Sequence, residues 1–288
     1  MKETFRREAP AKINLALDIL AKRPDGYHAL CSIMQTVSLC DTVELAEGGE
    51  GFTLSMAGFT PPEGRKTLEQ RAAEAFFARL GRAMPPLTVA ITKRTPAYAG
   101  LGGGSADVAA LLRLLRDHYA PEMEDAALEA IGAEVGSDMP FCLRGGTALA
   151  EGRGEILTDL PPLPDCWIVL CKPPFPIPTP MLFARADSVA IRHRPDIPGM
   201  RKALENGDLE GVAGRLGNVF EEVLPPECGA VFAIRDALLA AGALGAGMSG
   251  SGPTVFGIFR EEGLARAAQK KTLPWGESYA VRPLGKLT

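Results

Sequence analysis

The sequence predicts an α+β protein built in two halves, on three observations. Segments with alternating apolar and polar residues, the period of a half-buried strand, are interspersed with segments whose apolar residues recur at helical spacing. A proline-rich joint, LPPLP at 160–164, divides the 288 residues near their middle. Two glycine clusters, at 100–104 and 245–252, stand near the junction of the halves. At about 150 residues per domain the length suggests two domains, set here at 1–160 and 161–288.

In chain order, AKINLALDIL at 11–20 and VSLCDTVEL at 37–45 alternate as strands do. TLEQRAAEAFFARL at 67–80 has helical spacing and stops before Gly81, a C-cap residue. LTVAIT at 87–92 is a strand, and after the first glycine cluster the Ala- and Leu-rich stretch 106–119 is a helix. A further helix at about 124–135 ends at Gly136, and 140–150 reads as a short strand pair around Gly145 and Gly146. Beyond the joint, CWIVLCK at 166–172 is a buried strand and PPFPIPTP at 173–180 a rigid extended connector. Helices at about 200–206, 208–216 and 229–241, a strand at 253–259, a helix at 262–271 and a strand at 278–282 complete the chain.

Composition excludes several classes. Hydrophobic residues at 46% and a net charge of −4 rule out intrinsic disorder. A negative net charge also argues against a general nucleic-acid binder, whose affinity comes from Lys and Arg meeting phosphates. The charge-free stretch 237–259 is interrupted by six glycines and Pro253, so no membrane-spanning helix is expected. The N-terminus is charged and lacks the apolar run of a signal peptide. Cys31, Cys40, Cys142, Cys166, Cys171 and Cys228 form no CxxC and pair with no His at zinc spacing, so reduced thiols and no metal cluster are expected. The expectation is a cytoplasmic protein, a monomer or weak homodimer, with no nucleic-acid or membrane partner.

The excess glycine locates the chemistry. GAGMSG at 245–250 matches GxGxxG, but the elements run helix, glycines, strand. A dinucleotide site needs strand, glycines, helix, with the pyrophosphate on the helix N-terminus. GLGGGS at 100–105 has that order. Glycine permits positive φ and close backbone approach, and the free N–H groups and positive dipole end of the following helix stabilise an anion. Ser105 is the expected N-cap, with Asp107 in the first turn. Four glycines in five residues exceed what a cap needs, and point to a phosphate cradle. It is no Walker A loop, because no Lys follows Gly104, so the cation must come from elsewhere.

Three segments stand together: PAKINL at 10–15, PAYAGLGGGSAD at 96–107 and MSGSGPTVF at 248–256. With them the chain resembles the GHMP kinase superfamily of small-molecule kinases. The opening 11–30, GSDMPFCLRGG at 136–146, EGRGEIL at 151–157 and IPTP at 177–180 are similar to the branch that acts on a cytidine diphosphate-bearing alcohol. The resemblance implies an S5-like α/β N-terminal domain and a ferredoxin-like α+β C-terminal domain, with ATP and substrate in the cleft between them. The implied reaction is transfer of the ATP γ-phosphoryl to the 2-hydroxyl of 4-diphosphocytidyl-2-C-methyl-D-erythritol, in the non-mevalonate route to isoprenoid precursors.

The resemblance carries roles residue by residue. Pro96, Ala97, Tyr98, Ala99, Gly100, Leu101, Gly102, Gly103, Gly104, Ser105 and Ala106 match the nucleotide-binding run, with 100–105 around the phosphates. Asp138 matches the catalytic base and Lys12 the catalytic lysine. That lysine would lower the acceptor hydroxyl's effective pKa and neutralise transition-state charge. Taken alone, Lys12 reads as a surface lysine and Asp138 as a turn residue. His28 matches the residue that contacts the cytidine base and Tyr27 the ring that stacks on it, while Asn14 and Thr179 match substrate-side positions. Asn14 lies two residues after Lys12 on one strand, so both project to one face. Magnesium should accompany ATP through phosphates and water, with no protein metal ligand. His118 and His193 match nothing and read as structural or exposed. Thr67-Leu68 stands where the family usually has Asn-Leu, and Thr95 where Ile commonly precedes the loop proline. Both bear on the adenosine side.

Overall fold

The computed structural model describes residues 3–24, 26–60 and 66–287. Its larger sheet has seven strands. β1 (Thr4–Lys22) and β2 (His28–Glu47) form a long antiparallel ribbon, far longer than the two alternating segments suggest. The far half of β2 pairs with β4 (Leu87–Thr92), beyond which lies β3 (Phe52–Ala57) in parallel. The near half of β2 pairs instead with β5 (Thr147–Gly152), which pairs with β6 (Ile156–Asp159). On the other flank, the two-residue strand β8 (Gly217–Asn218) runs parallel to β1 at Ala16 and Leu17.

Four helices cover one region of this sheet: α1 (Leu68–Arg79), α2 (Gly103–Tyr119), α3 (Asp125–Val135) and α4 (Met139–Arg144). Phe76, Leu111, Leu115 and Ile131 pack there against Val43, Leu45, Val89 and Ile91, all nearly inaccessible. Burying each such side chain contributes about 1.5–3 kcal/mol.

The smaller sheet contains β7 (Trp167–Lys172), β9 (Gly245–Met248), β10 (Val255–Phe259) and β11 (Glu277–Val281), all antiparallel, in the order β11-β7-β10-β9. Counted within the sheet, this is fourth-first-third-second, the ferredoxin-like β-α-β-β-α-β pattern. Strand period explains how it sits. Ile168, Leu170, Phe256 and Ile258 face Ala11, Ile13, Leu15 and Ile33 of the large sheet. The alternate residues Val169, Cys171, Val255 and Phe259 face α8 (Ala230–Ala240) and α9 (Glu262–Thr272). Between β7 and β8 lie α5 (Thr179–Ser188), α6 (Ile197–Glu205) and α7 (Leu209–Ala213). The joint at 160–164 lies between β6 of the larger sheet and β7 of the smaller, and the chain returns to the larger sheet at β8.

Three expectations are corrected. The strand pair at 140–150 is half helix: α4 buries Met139, Phe141, Cys142 and Leu143, with Pro140 in its first turn and Gly145 stopping it at φ +69°. A short apolar run cannot be told from a strand by periodicity. The connector expected at 173–180 bends at 174–175, where Phe175 N–H donates to Pro173 O at 2.9 Å, and ends at Pro178, because Pro180 is preorganised for the first turn of α5. Finally, α2 starts at Gly103, not 106, and its N-cap is Gly102 in the left-handed region, not Ser105. Asp107 is therefore past the first turn and buried.

Candidate active site

The loop 96–102 leaves the end of β4 and turns into α2. Its two buried side chains, Ala99 and Leu101, anchor it in the core between the sheets. Its glycines allow close approach, Gly100 abutting the backbone at Ser249 and Gly252, and Gly102 the side chain of Lys12. Gly102 at φ +67° redirects the chain, and no side chain caps the helix that follows. The N–H groups of Gly103, Gly104 and Ser105 then have no acceptor within the helix, the arrangement that binds an anion. Ser105 is a half-buried first-turn residue beside exposed Gly104. Pro96 and Ala97 lead into Tyr98, which has φ +52° and is 68% exposed, its ring 6.3 Å edge-on from Phe59. Ala106 is buried behind the loop.

Lys12 and Asn14 lie on the face of β1 opposite the apolar Ala11, Ile13 and Leu15. The β1–β2 register shifts between Pro10 and Lys12 and again between Asn14 and Ala16. Such irregularities re-aim side chains and free backbone groups. The Lys12 N–H accordingly leaves the ladder and donates to Leu101 O at 2.9 Å, tying the strand to the loop. Lys12 Nζ donates to Asn14 Oδ1 at 2.7 Å and lies 3.4 Å from Asp138 Oδ2. The Lys12 side chain is 5% exposed and that of Asp138 33%, so a buried ammonium faces an accessible carboxylate. A buried charge persists only when paired. Asn14 Nδ2 donates onward to Ser32 Oγ at 2.8 Å, which fixes the amide orientation. Asp138 immediately precedes α4.

The second glycine segment backs this arrangement. Gly245, Ala246, Gly247 and Met248 are themselves strand β9, and the turn from Ser249 to Thr254 meets the phosphate loop. Ser249 Oγ donates to Gly100 O at 2.9 Å and accepts from Asn14 N at 3.2 Å, joining both loops to β1. Asn218 Nδ2 donates to Met248 O and Gly250 O, each at 2.8 Å. Neither Ser249 nor Asn218 was singled out from sequence. Their signals were present: a serine between glycines, and an Asn at a glycine-led break between helices.

Thr179 opens α5 and shares a 2.8 Å hydrogen bond with Ser251 of that turn. Phe183 and Asp187 follow at four-residue steps, so all three share one helix face. His28, at the start of β2, stacks on Phe183 with centroids 4.7 Å apart. Its Nε2 lies 2.7 Å from Asp187 Oδ1. The His28 bond, joined by Lys22 at 3.2 Å, holds the Asp187 carboxyl below the usual range. An ionised Asp187 needs an N–H on Nε2, which leaves Nδ1 as acceptor in the neutral ring. Tyr27 is 56% exposed, with the Arg153 guanidinium 5.3 Å over its ring. Because the connector is expected over 173–180 and no element over 181–188, the spacing of Thr179, Phe183 and Asp187 went unseen in the sequence.

The remaining expectations map simply. Thr67 caps α1, accepting from Gln70 N at 3.2 Å, so its hydroxyl is spent on the helix. His118 lies 3.4 Å from Glu47, and His193 is 89% exposed beside Glu222. All six cysteines are free thiols. No helix among the described residues is long and apolar enough to cross a membrane. No group of three or more potential metal ligands occurs among them.

Residues 67–146 match the GHMP kinases N terminal domain and 200–272 the GHMP kinases C terminal. A 4-diphosphocytidyl-2-C-methyl-D-erythritol kinase from Listeria monocytogenes is 40% identical over 277 residues, covering 96% of this chain and 94% of the relative. One from Geobacillus kaustophilus is 39% identical over 286 residues, with 97% of each chain covered. A crystal structure of a 4-(cytidine 5'-diphospho)-2C-methyl-D-erythritol kinase superposes with a TM-score of 0.81 at 31% identity, covering 98% of this chain and all of the other. A homoserine kinase from Cytophaga hutchinsonii, at 18% identity and a TM-score of 0.78, shares the fold. The chain therefore belongs to the GHMP kinases, and within them to the family of 4-diphosphocytidyl-2-C-methyl-D-erythritol kinases.

Proposed function

We propose that this small-molecule kinase transfers the ATP γ-phosphoryl to the 2-hydroxyl of 4-diphosphocytidyl-2-C-methyl-D-erythritol, a step toward isoprenoid precursors. The observation that carries the mechanism is the meeting of Lys12, Asn14 and Asp138 beside the phosphate loop, with Lys12 Nζ 2.7 Å from one partner and 3.4 Å from the other. Phosphoryl transfer asks the protein for position and charge more than for covalent chemistry. The α2 N–H groups hold the phosphates, within a nucleotide site formed by 96–106. The Asp138 carboxylate takes the proton of the acceptor hydroxyl. The hydroxyl oxygen forms the new bond to the γ-phosphorus as the bond to the β-γ bridging oxygen breaks, and ADP leaves. The Lys12 ammonium offsets negative charge gathering on the transferring group, in the low-dielectric setting where such donors act most strongly. Asn14 fixes that ammonium and faces the substrate.

The base end of the substrate lies toward His28 and Tyr27. From Thr179 to Asp187 the helix α5 rises about 12 Å. That length suits an extended substrate with its acceptor carbon chain near Thr179 and its pyrimidine near His28, whose Nδ1 can accept from the exocyclic amine. We assign 1–160 to the ATP side and 161–288, through Thr179, to the substrate side, where Asn14, Tyr27 and His28 of the first half also face the substrate. Magnesium bound with ATP would shield the phosphate oxygens, and since no group of three or more potential ligands occurs among the described residues, phosphate and water would hold it. A coupled ADP-release assay with Mg-ATP and the cytidyl alcohol, beside homoserine and mevalonate, tests the proposal. Turnover confined to the cytidyl alcohol supports it, and turnover only with another alcohol overturns the substrate assignment.

A further inference from the structure

Behind the phosphate loop lies a buried charge cluster with no part in the transfer described above. Lys93, just past β4, places its ammonium 2.5 Å from Asp41 Oδ2 and 2.5 Å from Asp107 Oδ2. The Asp41 and Asp107 side chains are at most 1% exposed and that of Lys93 10%. The other Asp41 oxygen accepts the N–H groups of Arg94 at 2.5 Å and Thr95 at 2.6 Å. Three side chains thus join the middle of β2, the first residues of the loop and the second turn of α2. The loop is gripped where it leaves β4 and again where α2 has begun, with 96–106 held between. A Cβ on Gly103 would lie 3.4 Å from Lys93 Nζ and 3.0 Å from Thr95 Cγ2, so the cluster abuts the first turn of α2 directly.

Packing alone does not account for this cluster. Two carboxyl groups share one ammonium in a buried site, and apolar replacements of such groups are often as stable or more so. Burial, the largest influence, outweighs Lys93 and pushes the Asp107 carboxyl up. Burial also works against the Lys93 ammonium, yet Asp107 and Asp41 prevail and raise its pKa. Asp107 Oδ1 and Thr95 Oγ1 are buried with no hydrogen-bond partner, a further cost at the same spot. What the cluster supplies is fixed geometry at both ends of the loop.

We propose that Lys93 is a positioning residue for phosphoryl transfer: by bridging Asp41 and Asp107 it sets the two ends of the phosphate loop so that the α2 N–H groups converge on the ATP phosphates. The inference rests on the assignment of 100–105 to the phosphates. Lys93 acts through the loop backbone, so its effect falls on phosphate affinity and spares the nucleoside.

Calorimetric titration of ADP and of adenosine into the wild type, Lys93→Met, Lys93→Arg and Asp107→Asn tests this. Lys93→Met should weaken ADP by about tenfold, the scale of a loop shifted by a fraction of an ångström. Adenosine affinity should stay the same, Asp107→Asn should lose ADP affinity several-fold, and Lys93→Arg should recover most of it. In turnover, KM for ATP rises while KM for the cytidyl alcohol holds. Equal losses of ADP and adenosine, or ADP affinity unchanged in Lys93→Met, would overturn the inference. Should Lys93→Met not fold, Asp107→Asn decides: it is near-isosteric and removes a carboxyl that burial disfavours, and wild-type ADP affinity in it overturns the proposal. A wild-type protein that binds no ADP withdraws the loop assignment and the inference together, whereas ADP binding indifferent to all three substitutions withdraws the inference alone.

Discussion

Replacing Gly100 by Ala should disable the protein through backbone contacts alone. Gly100 sits at φ +73°, a conformation that costs an L-residue about 1–2 kcal/mol. Its new Cβ would lie 2.2 Å from Ser249 O, 3.0 Å from Gly252 N and 3.1 Å from Gly252 O. A carbon resting on a carbonyl oxygen needs roughly 3.3 Å, so the two glycine loops must part by about 1 Å. Those neighbours are backbone atoms, held in place by Asn218 and by the Ser249 hydroxyl, so no side chain can swing aside. Overpacking of this kind adds about 1–3 kcal/mol. Parting the loops also strains the Ser249 link to Asn14 and the Leu101 link to Lys12, and a misplacement of about 1 Å costs on the order of 10²-fold in rate. Thermal unfolding and steady-state kinetics would be measured beside Gly263→Ala, whose Cβ meets nothing within 4 Å and sits in α9, a helix where Ala is favoured. Gly100→Ala within about 0.5 kcal/mol of wild type, with undiminished kcat/KM, would refute the reasoning.

Asp138→Asn should lower kcat by about 10²–10⁴-fold and leave ADP affinity intact; wild-type turnover would remove Asp138 from the mechanism. Gly103→Val drives a branched side chain toward Thr95 Cγ2, 3.0 Å from the Cβ position, and should abolish ATP binding by titration. Asp187→Ala should raise KM for the cytidyl alcohol several-fold with KM for ATP unchanged, because it frees the His28 ring to change tautomer and orientation; equal changes in both constants would count against His28 facing the base. Asp107→Asn should gain stability relative to wild type as pH rises. The wild-type carboxyl is pushed up from 3.8 to about 7 by burial, so the fold loses stability through that window as the group ionises, and the amide does not. Melting curves at pH 4 and pH 7.5 give the sign.

Much of the fold was legible because parts of β1 and β2, all of β4 and most helices are written locally. The 87–92 strand, the helix ending before Gly81 and the α+β class follow from period and punctuation. The residues of the candidate site were legible only through motif resemblance, because Lys12 and Asp138 lie 126 positions apart and meet across a fold. What escaped was non-local. α4 looked like a strand because burial on all sides erases periodicity. α5 was hidden by prolines that begin a helix as readily as they extend a chain. β3 alternates Phe52, Leu54 and Met56 but is only six residues long, and β6 is four mostly exposed residues.

The sequence by itself determined the class, the glycine loop before a helix, and the residue types that phosphoryl transfer requires. Only the tertiary structure decided how they act together. Irregular β1–β2 pairing gives the Lys12 N–H to the loop, and Ser249 locks two glycine segments from opposite halves of the chain. The Lys93 bridge between two carboxylates draws on residues 41, 93 and 107 at once. The reason is physical: local propensities reflect neighbours within a few residues, whereas charge pairing and backbone close approach depend on distances that exist only after the sheets have stacked.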